Sequence, residues 1–306
     1  MDIATLLICH SRQEHLAKVL EALNDSDRPL NSPLLIYSQD SPRQVRDLVK
    51  NFNIVNKTIV TSDEFNFKST KQAINHNMFN GLKYVFDNFD VDACLVLEDD
   101  IVISPDAYSF FIGIFDKFKL DKRFRGVNGF SVEVNPYVSD RDYVRVNYGL
   151  GWGWAISRET FDFLSKYWTG LEDEHWDFIL EPYIRTGFVV VPIRSRILNI
   201  GFDSTATHTK NDFRLGEQIF DSYQTKVLQN QKEFFESSAI YNWRIDCFRI
   251  SQASRNRKLL IYFIGWLCYL LQRIEIRYPM ISPTYRILIK RYFTRFQKHD
   301  RLRGIS

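Results

Sequence analysis

Over its first hundred residues the chain alternates short apolar runs with segments whose apolar residues recur at helical spacing. That alternation restricts its architecture more than any other feature. Ile3 to Cys9 reads as a buried strand ended by His10-Ser11-Arg12, and Glu14 to Leu23 follows as a helix with Leu16, Val19, Leu20 and Leu23 on one face. Pro33 to Tyr37 is a second strand closing on Ser38-Gln39-Asp40. A helix then runs through Val45, Leu48 and Val49, and Lys57 to Val60 is a third strand. A helix from Ile74 to Phe86 and a strand from Ala93 to Leu97, ending at Glu98-Asp99-Asp100, complete the series. Strands and helices alternating at this spacing imply an α/β fold, a parallel sheet with helices on both faces. Ligands of open α/β sheets bind beyond the carboxyl ends of the strands. Ser11-Arg12, Gln39-Asp40 and Glu98-Asp99-Asp100 all fall at such ends.

After residue 125 the pattern weakens. Gly, Asn and aromatic residues crowd into GVNGF and NYGLGWGW, and 217–255 reads as polar helix. Leu259 to Leu271 is an apolar run of 13 residues, short of the ~20 needed to span a bilayer. Residues 255–306 hold 12 Lys and Arg against Glu275 and Asp300, a net +10; within a total of +3, residues 1–254 therefore carry −7. An apolar run beside a basic amphipathic segment suits a helix lying in an anionic membrane interface. The alternative is a helix packed on the body with a solvated basic face. An acidic body with a basic tail is unlike a nucleic-acid binder, whose charge would spread over its folded face. Cys9, Cys94, Cys247 and Cys268 form no CxxC pair, so a disulfide framework or zinc site has no support and a reducing compartment is the simpler reading. The N-terminal MDIATLLICHSR lacks the basic start and longer apolar stretch of a secretory signal.

The acidic triplet carries the chemistry. Glu98-Asp99-Asp100 sits between apolar flanks at the end of what reads as a central strand. Adjacent carboxylates repel unless a cation neutralises them. Mn²⁺ and Mg²⁺ prefer oxygen ligands and bridge to substrate phosphates, where they stabilise a diphosphate leaving group. The other reading is an acid-favouring helix N-terminus, with Ser104-Pro105 opening the next helix. Trp152 and Trp154 also have two readings: indoles against a sugar face, or a core pair beside a tight turn. Trp152 is the better pocket candidate.

Several segments together resemble the GT-A glycosyltransferases, and most closely the N-acetylglucosaminyltransferase I group (glycosyltransferase family 13). The Glu98-Asp99-Asp100 triplet is similar to that family's metal-binding EDD motif, and Ser38-Gln39-Asp40 to its SQD, whose Asp binds uracil. Cys9-His10-Ser11-Arg12 sits where the family has a nucleotide-contacting Arg. Ile74 to Phe86 resembles the helix before the acidic motif, with His76 or Asn77 near a base-contacting position. Tyr148-Gly149-Leu150-Gly151-Trp152 is similar to an FPGLGW loop, and His175-Trp176-Asp177 to a Trp-Asp segment whose Asp is the catalytic base. Ser195-Arg196 through His208 resembles the loop closing the donor site.

The resemblance implies a GT-A, Rossmann-like domain over 1–215, leaving a helical extension over 216–254 and a basic membrane-interface segment over 255–306. It implies inverting transfer from a UDP-sugar, with Mn²⁺ or Mg²⁺ on Asp100. Arg12, Asp40, His76, Asn77, Glu98, Asp99, Trp152 and His208 would bind the donor, and Asp177 would be the base. Glu174 and Trp176 would hold Asp177, and the charge of Glu172-Asp173-Glu174 would raise its pKa. The alternative makes Glu172 to Glu174 a helix N-terminus with Asp177 in its first turns.

The family's best-known members carry an N-terminal anchor, whereas here the basic apolar segment stands at the other end. A cytoplasmic enzyme at the inner face of the membrane is therefore expected, acting on a glycan or lipid-linked acceptor in envelope polysaccharide or lipopolysaccharide synthesis. Two rivals are a metal-dependent nucleotidyltransferase and an inactive glycan-binding or membrane-scaffolding protein. The first normally has a Gly-rich loop after its first strand, which His10-Ser11-Arg12 lacks. The second has no need of three clustered carboxylates.

Overall fold

The computed structural model describes residues 1–39, 41–62, 66–130, 143–146, 150–184, 186–192, 195–201 and 233–235. The chain divides into two units, Met1–Glu236 and Ser237–Ser306, and every described residue belongs to the first. The expected membrane-interface segment and most of the expected helical extension lie outside the described residues.

The alternating front half folds as read. In order come β1 (Ile3–Cys9), α1 (Gln13–Asp25), β2 (Leu34–Gln39), α2 (Arg43–Asn51), β3 (Lys57–Ser62), α3 (Thr70–Asn88) and β4 (Ala93–Glu98). Then follow β5 (Ile101–Ile103), α4 (Ala107–Phe118), β6 (Phe124–Asn128), β7 (Tyr143–Val146), β8 (Trp154–Ser157), α5 (Arg158–Leu164), α6 (Trp176–Ile184), β9 (Phe188–Pro192), β10 (Ile197–Asn199) and β11 (Glu233–Phe235). Glu233–Phe235, inside a stretch that reads as polar helix, is instead a short strand paired in parallel with β7.

The main sheet has the order β11-β7-β9-β6-β8-β4-β1-β2-β3. Strands β4, β1, β2 and β3 are parallel, whereas β8 runs antiparallel between β4 and β6. The result is an α/β, mostly parallel, Rossmann-like sheet of the kind expected for GT-A. Leu6, Leu7, Leu34, Leu35, Leu95 and Leu97 are fully buried. Register places Cys9 opposite Ser38 and Ile8 opposite Glu98, so the carboxyl ends of three parallel strands share one rim.

Capping explains several boundaries. Ser69 precedes α3, and its Oγ accepts from Gln72 N at 3.2 Å, an N-cap that extends the helix four residues ahead of Ile74. At its far end Arg158 donates to Phe86 O, Phe89 O and Val91 O at 2.5, 2.8 and 3.1 Å. The helix after Ser104-Pro105 starts only at Ala107. Its first amides are satisfied from a distance: Tyr108 N and Ser109 N donate to Asp27 Oδ1 and Oδ2 at 2.9 and 2.8 Å.

Buried polar groups fix the second half. Arg196, 1% exposed, pairs with Asp106 at 3.1 Å, and its guanidinium lies 5.4 Å from the Phe110 ring centroid. Gly153 has φ +58°, and a Cβ there would overlap Ile197 of β10. Both constraints seat the β5–β10 ribbon against α4 and the start of β8. Asp27→Ala is expected to lower stability by about 1 kcal/mol, read as a lower denaturant midpoint with unchanged slope. An unchanged midpoint would mean that solvent serves the first turn of α4 equally well.

Candidate functional site

The site begins where β4 ends. Glu98 is its last residue, and Asp99-Asp100 turn the chain directly into β5. Because β5 pairs with β10, with Ile101 opposite Asn199, the acidic turn lies between the sheet rim and the second small sheet. Ile200 N donates to Asp100 O at 2.9 Å. Gly201 follows, and a Cβ on it would overlap the Asp100 carboxylate and approach Arg12 Nη1 to 2.7 Å. Only glycine lets the backbone come that close.

Arg12 and His10, both after β1, reach the same turn. Arg12 Nη1 is ion-paired with Asp100 Oδ2, the two side chains 17% and 13% exposed. His10 N donates to Asp99 Oδ2 at 3.1 Å. Burial lifts the carboxyl of Glu98, and Asp100, Asp99 and Asp177 raise it further against Arg12, to about 8. Burial also raises Asp99, with Asp100 adding, and raises Asp100 against the opposing Arg12. Asp177, in the first turn of α6, is thus near enough for its charge to bear on Glu98.

Residues 168–174 hold α6 in place through α3. Asn75, fully buried, accepts from Trp168 Nε1 at 2.6 Å and donates to Glu172 O and Oε2 at 3.1 and 3.0 Å. Gln72 Nε2 donates to Leu171 O at 2.7 Å, Ser69 hydrogen-bonds Asp173, and Lys71 pairs with Glu174 at 3.3 Å. The three acids expected to surround Asp177 are therefore engaged with α3 or their own loop. Thr169 and Asn75 stabilise the charge of Glu172, holding its carboxyl below the usual range although burial opposes them. Trp176 stacks on Trp154, centroids 4.7 Å apart at 20°, with both rings buried. Trp154 is thus a core residue of the pair, and Val96 of β4 is its register partner. The stack ties α6, which carries Asp177, to β8, the antiparallel neighbour of the strand that bears the triplet.

Trp152 is only partly buried and meets Phe130 edge-on at 4.6 Å, at the entrance to β8. His76 meets Phe67 edge-on at 5.1 Å; burial lowers its pKa while a hydrogen bond to Asn77 opposes the shift. Asp40 and His208 lie outside the described residues. Of the segment expected to close the donor site, Ser195–Gly201 is described. It forms β10 and the close approach to Asp100, with Arg196 buried.

Residue-type reasoning missed Asn75 and His15. Gln72 and Asn75, one turn apart on the face that buries Met78 and Leu82, were the available signal: polar side chains at core positions require partners. His15, one turn beyond Arg12, donates from Nε2 to Ile200 O at 3.2 Å.

The donor set suits a hard divalent cation. The carboxyls are crowded, raised by burial and mutual repulsion, and countered by Arg12. Among the described residues no three His, Cys, Asp or Glu side chains converge as a preformed cage. Such a site would supply one or two carboxylates and leave the remaining positions to water and substrate phosphate, as Mg²⁺ commonly accepts. Asp100, with Asp99 and Glu98 beside it, would be the residue to hold such an ion.

Solved structures of S. aureus TarS are similar over 64% of this chain, with TM-scores below 0.5. The 1–349 fragment matches at TM-score 0.47 and 11% identity over 60% of its length. The same fragment in complex with UDP-GlcNAc matches at 0.44 and 11% over 58%, and TarS itself at 0.47 and 12% over 36%. The chain thus spans less than two thirds of these relatives. No curated protein matches it. The GNT-I family model matches residues 2–234, a span that takes in β1 through β10, all but the last residue of β11, the acidic turn, Arg12 and Asp177. The chain belongs to the GNT-I family.

Proposed function

We propose that the chain is an inverting glycosyltransferase that moves a sugar, GlcNAc or another hexose, from a UDP-sugar to a hydroxyl of a glycan or lipid-linked acceptor. Family membership supports sugar transfer. One observation supports the mechanism: Asp177 is fixed, through the Trp154–Trp176 stack, near enough to the strand-end carboxylates for its charge to raise Glu98.

In this reading the acceptor oxygen attacks C1 of the sugar as the bond from C1 to the diphosphate breaks. The carboxylate of Asp177 takes the hydroxyl proton, and UDP leaves from the opposite face with inversion. Arg12 binds the diphosphate by charge-assisted hydrogen bonds, and Asp99 and Glu98 orient the ribose, the sugar and the water around the ion. Mn²⁺ or Mg²⁺ held by Asp100 would neutralise the leaving diphosphate as a Lewis acid. Asp40, His76, Asn77, Trp152 and His208 complete donor binding as the family motifs imply, and 1–215 is the catalytic domain.

The net +10 of residues 255–306 supports docking at an anionic membrane surface, on its cytoplasmic face, in synthesis of an envelope polysaccharide or lipopolysaccharide. Among the described residues no helix is long and apolar enough to cross a membrane.

Asp177→Asn should cut transfer by about 10²–10⁴-fold and leave UDP affinity unchanged in calorimetry; wild-type turnover would remove Asp177 from the mechanism. UDP should raise the melting temperature with Mn²⁺ present and fail to do so in EDTA. Asp100→Ala should abolish the dependence of that shift on Mn²⁺, and a difference between Mn²⁺ and EDTA that survives would mean Asp100 is not the ligand. Asn75→Ala, which frees Glu172 and Trp168, should lower kcat more than it raises the KM for donor; an equal loss in both would make Asn75 a general stability residue.

A further inference from the structure

Arg12 stands in the middle of the acidic turn. Its Nη1 pairs with Asp100 Oδ2, and its charge opposes the raised carboxyls of Glu98, Asp99 and Asp100 alike. The pair is closely packed on one side. Gly201 approaches Asp100 and Arg12 so closely that not even a Cβ fits between them. That backbone is itself tied down, with Gly201 N bonded to Asn199 Oδ1 at 2.7 Å, Ile200 N to Asp100 O at 2.9 Å, and His15 to Ile200 O at 3.2 Å. Asp100 Oδ2 therefore has a guanidinium on one side and a fixed backbone on the other. A divalent cation drawn to that oxygen must compete with Arg12 for it.

We propose that Arg12 is an internal counter-ion that occupies Asp100 until a nucleoside diphosphate draws its guanidinium off, so that the divalent cation and the diphosphate bind as a coupled pair. This rests on the reading above that Asp100 holds the cation. The charges make the exchange self-consistent. A diphosphate offers the guanidinium more negative charge and bidentate oxygens, while the vacated carboxylate takes the divalent ion. Without diphosphate, the metal meets the competition of a preformed ion pair. Without metal, drawing Arg12 to the diphosphate leaves three carboxylates uncompensated. Each ligand thus removes the obstacle to the other, and such coupling is reciprocal.

The test is Mn²⁺ binding to the full chain, followed by electron paramagnetic resonance of the free ion, with and without UDP, beside UDP titrations in EDTA. In the wild type, UDP should tighten Mn²⁺ about tenfold or more, and Mn²⁺ should tighten UDP by the same factor. Arg12→Gln should bind Mn²⁺ alone about tenfold more tightly than the wild type and lose most of the coupling. Arg12→Lys, which keeps the charge, should leave Mn²⁺ alone weak. From the other side, Asp100→Asn releases Arg12 and should bind UDP in EDTA more tightly than the wild type does. The proposal is overturned if Arg12→Gln binds Mn²⁺ alone no more tightly, or if Asp100→Asn gains no affinity for metal-free UDP. A separate outcome tests the reading beneath it: Mn²⁺ bound equally by wild type and Asp100→Ala with UDP present would remove Asp100 as the ligand, and the proposal with it.

Discussion

Crowded negative charge at the end of one strand is the constraint around which the rest is arranged. Glu98, Asp99 and Asp100 follow one another along the chain where β4 leaves the sheet, and Asp177 adds its field to Glu98. Desolvation and repulsion both oppose ionisation there, so the turn is stable only with compensation. Arg12 supplies charge, His10 N supplies a hydrogen bond to Asp99, and β10 pins the turn through Ile200. A surface loop would relax such a cluster by moving apart. Here the sheet on one side and the β5–β10 ribbon on the other hold it together.

The helix that carries Asp177 is held by quite different means. Asp177 belongs to a nine-residue helix that relies on others for its position. One support is apolar, the Trp154–Trp176 stack reaching back to β4; the other is polar, the bonds of Gln72 and Asn75 to residues 168–172. Both depend on elements from the alternating front half. The parallel sheet therefore positions residues far outside itself, and Asp177 and the acidic turn share one frame.

Much of the front half was legible because its periodicities are clean. Ile3–Cys9 is read to the residue, and the strand ending in Glu98-Asp99-Asp100 was visible because apolar residues stop abruptly at charge. Boundaries set by caps were less legible. Ser69 lengthens α3, and Asp27 serves α4 across 81 residues of sequence, a partnership no local pattern reveals. The partners of Glu172 to Glu174 were hidden for a related reason: acids adjacent to Asp177 in sequence bond to α3, which offers donors far away along the chain. Trp154 and Trp152 differ by two positions and share a composition. Only the sheet register, which sets Trp154 against Val96, separates the core indole from the one at the edge.

The small β5–β10 sheet has a consequence for how the molecule is made. It joins Ile101 to Asn199, so its closure is a long-range event with a correspondingly large entropic cost in the unfolded chain. The front half can assemble its strands early in synthesis, before Asn199 exists. The acidic turn, in contrast, gains its backbone anchor only after nearly two hundred residues are in place. The turn is thus fixed late, and a half-folded chain exposes strands before its crowded carboxylates are held in place.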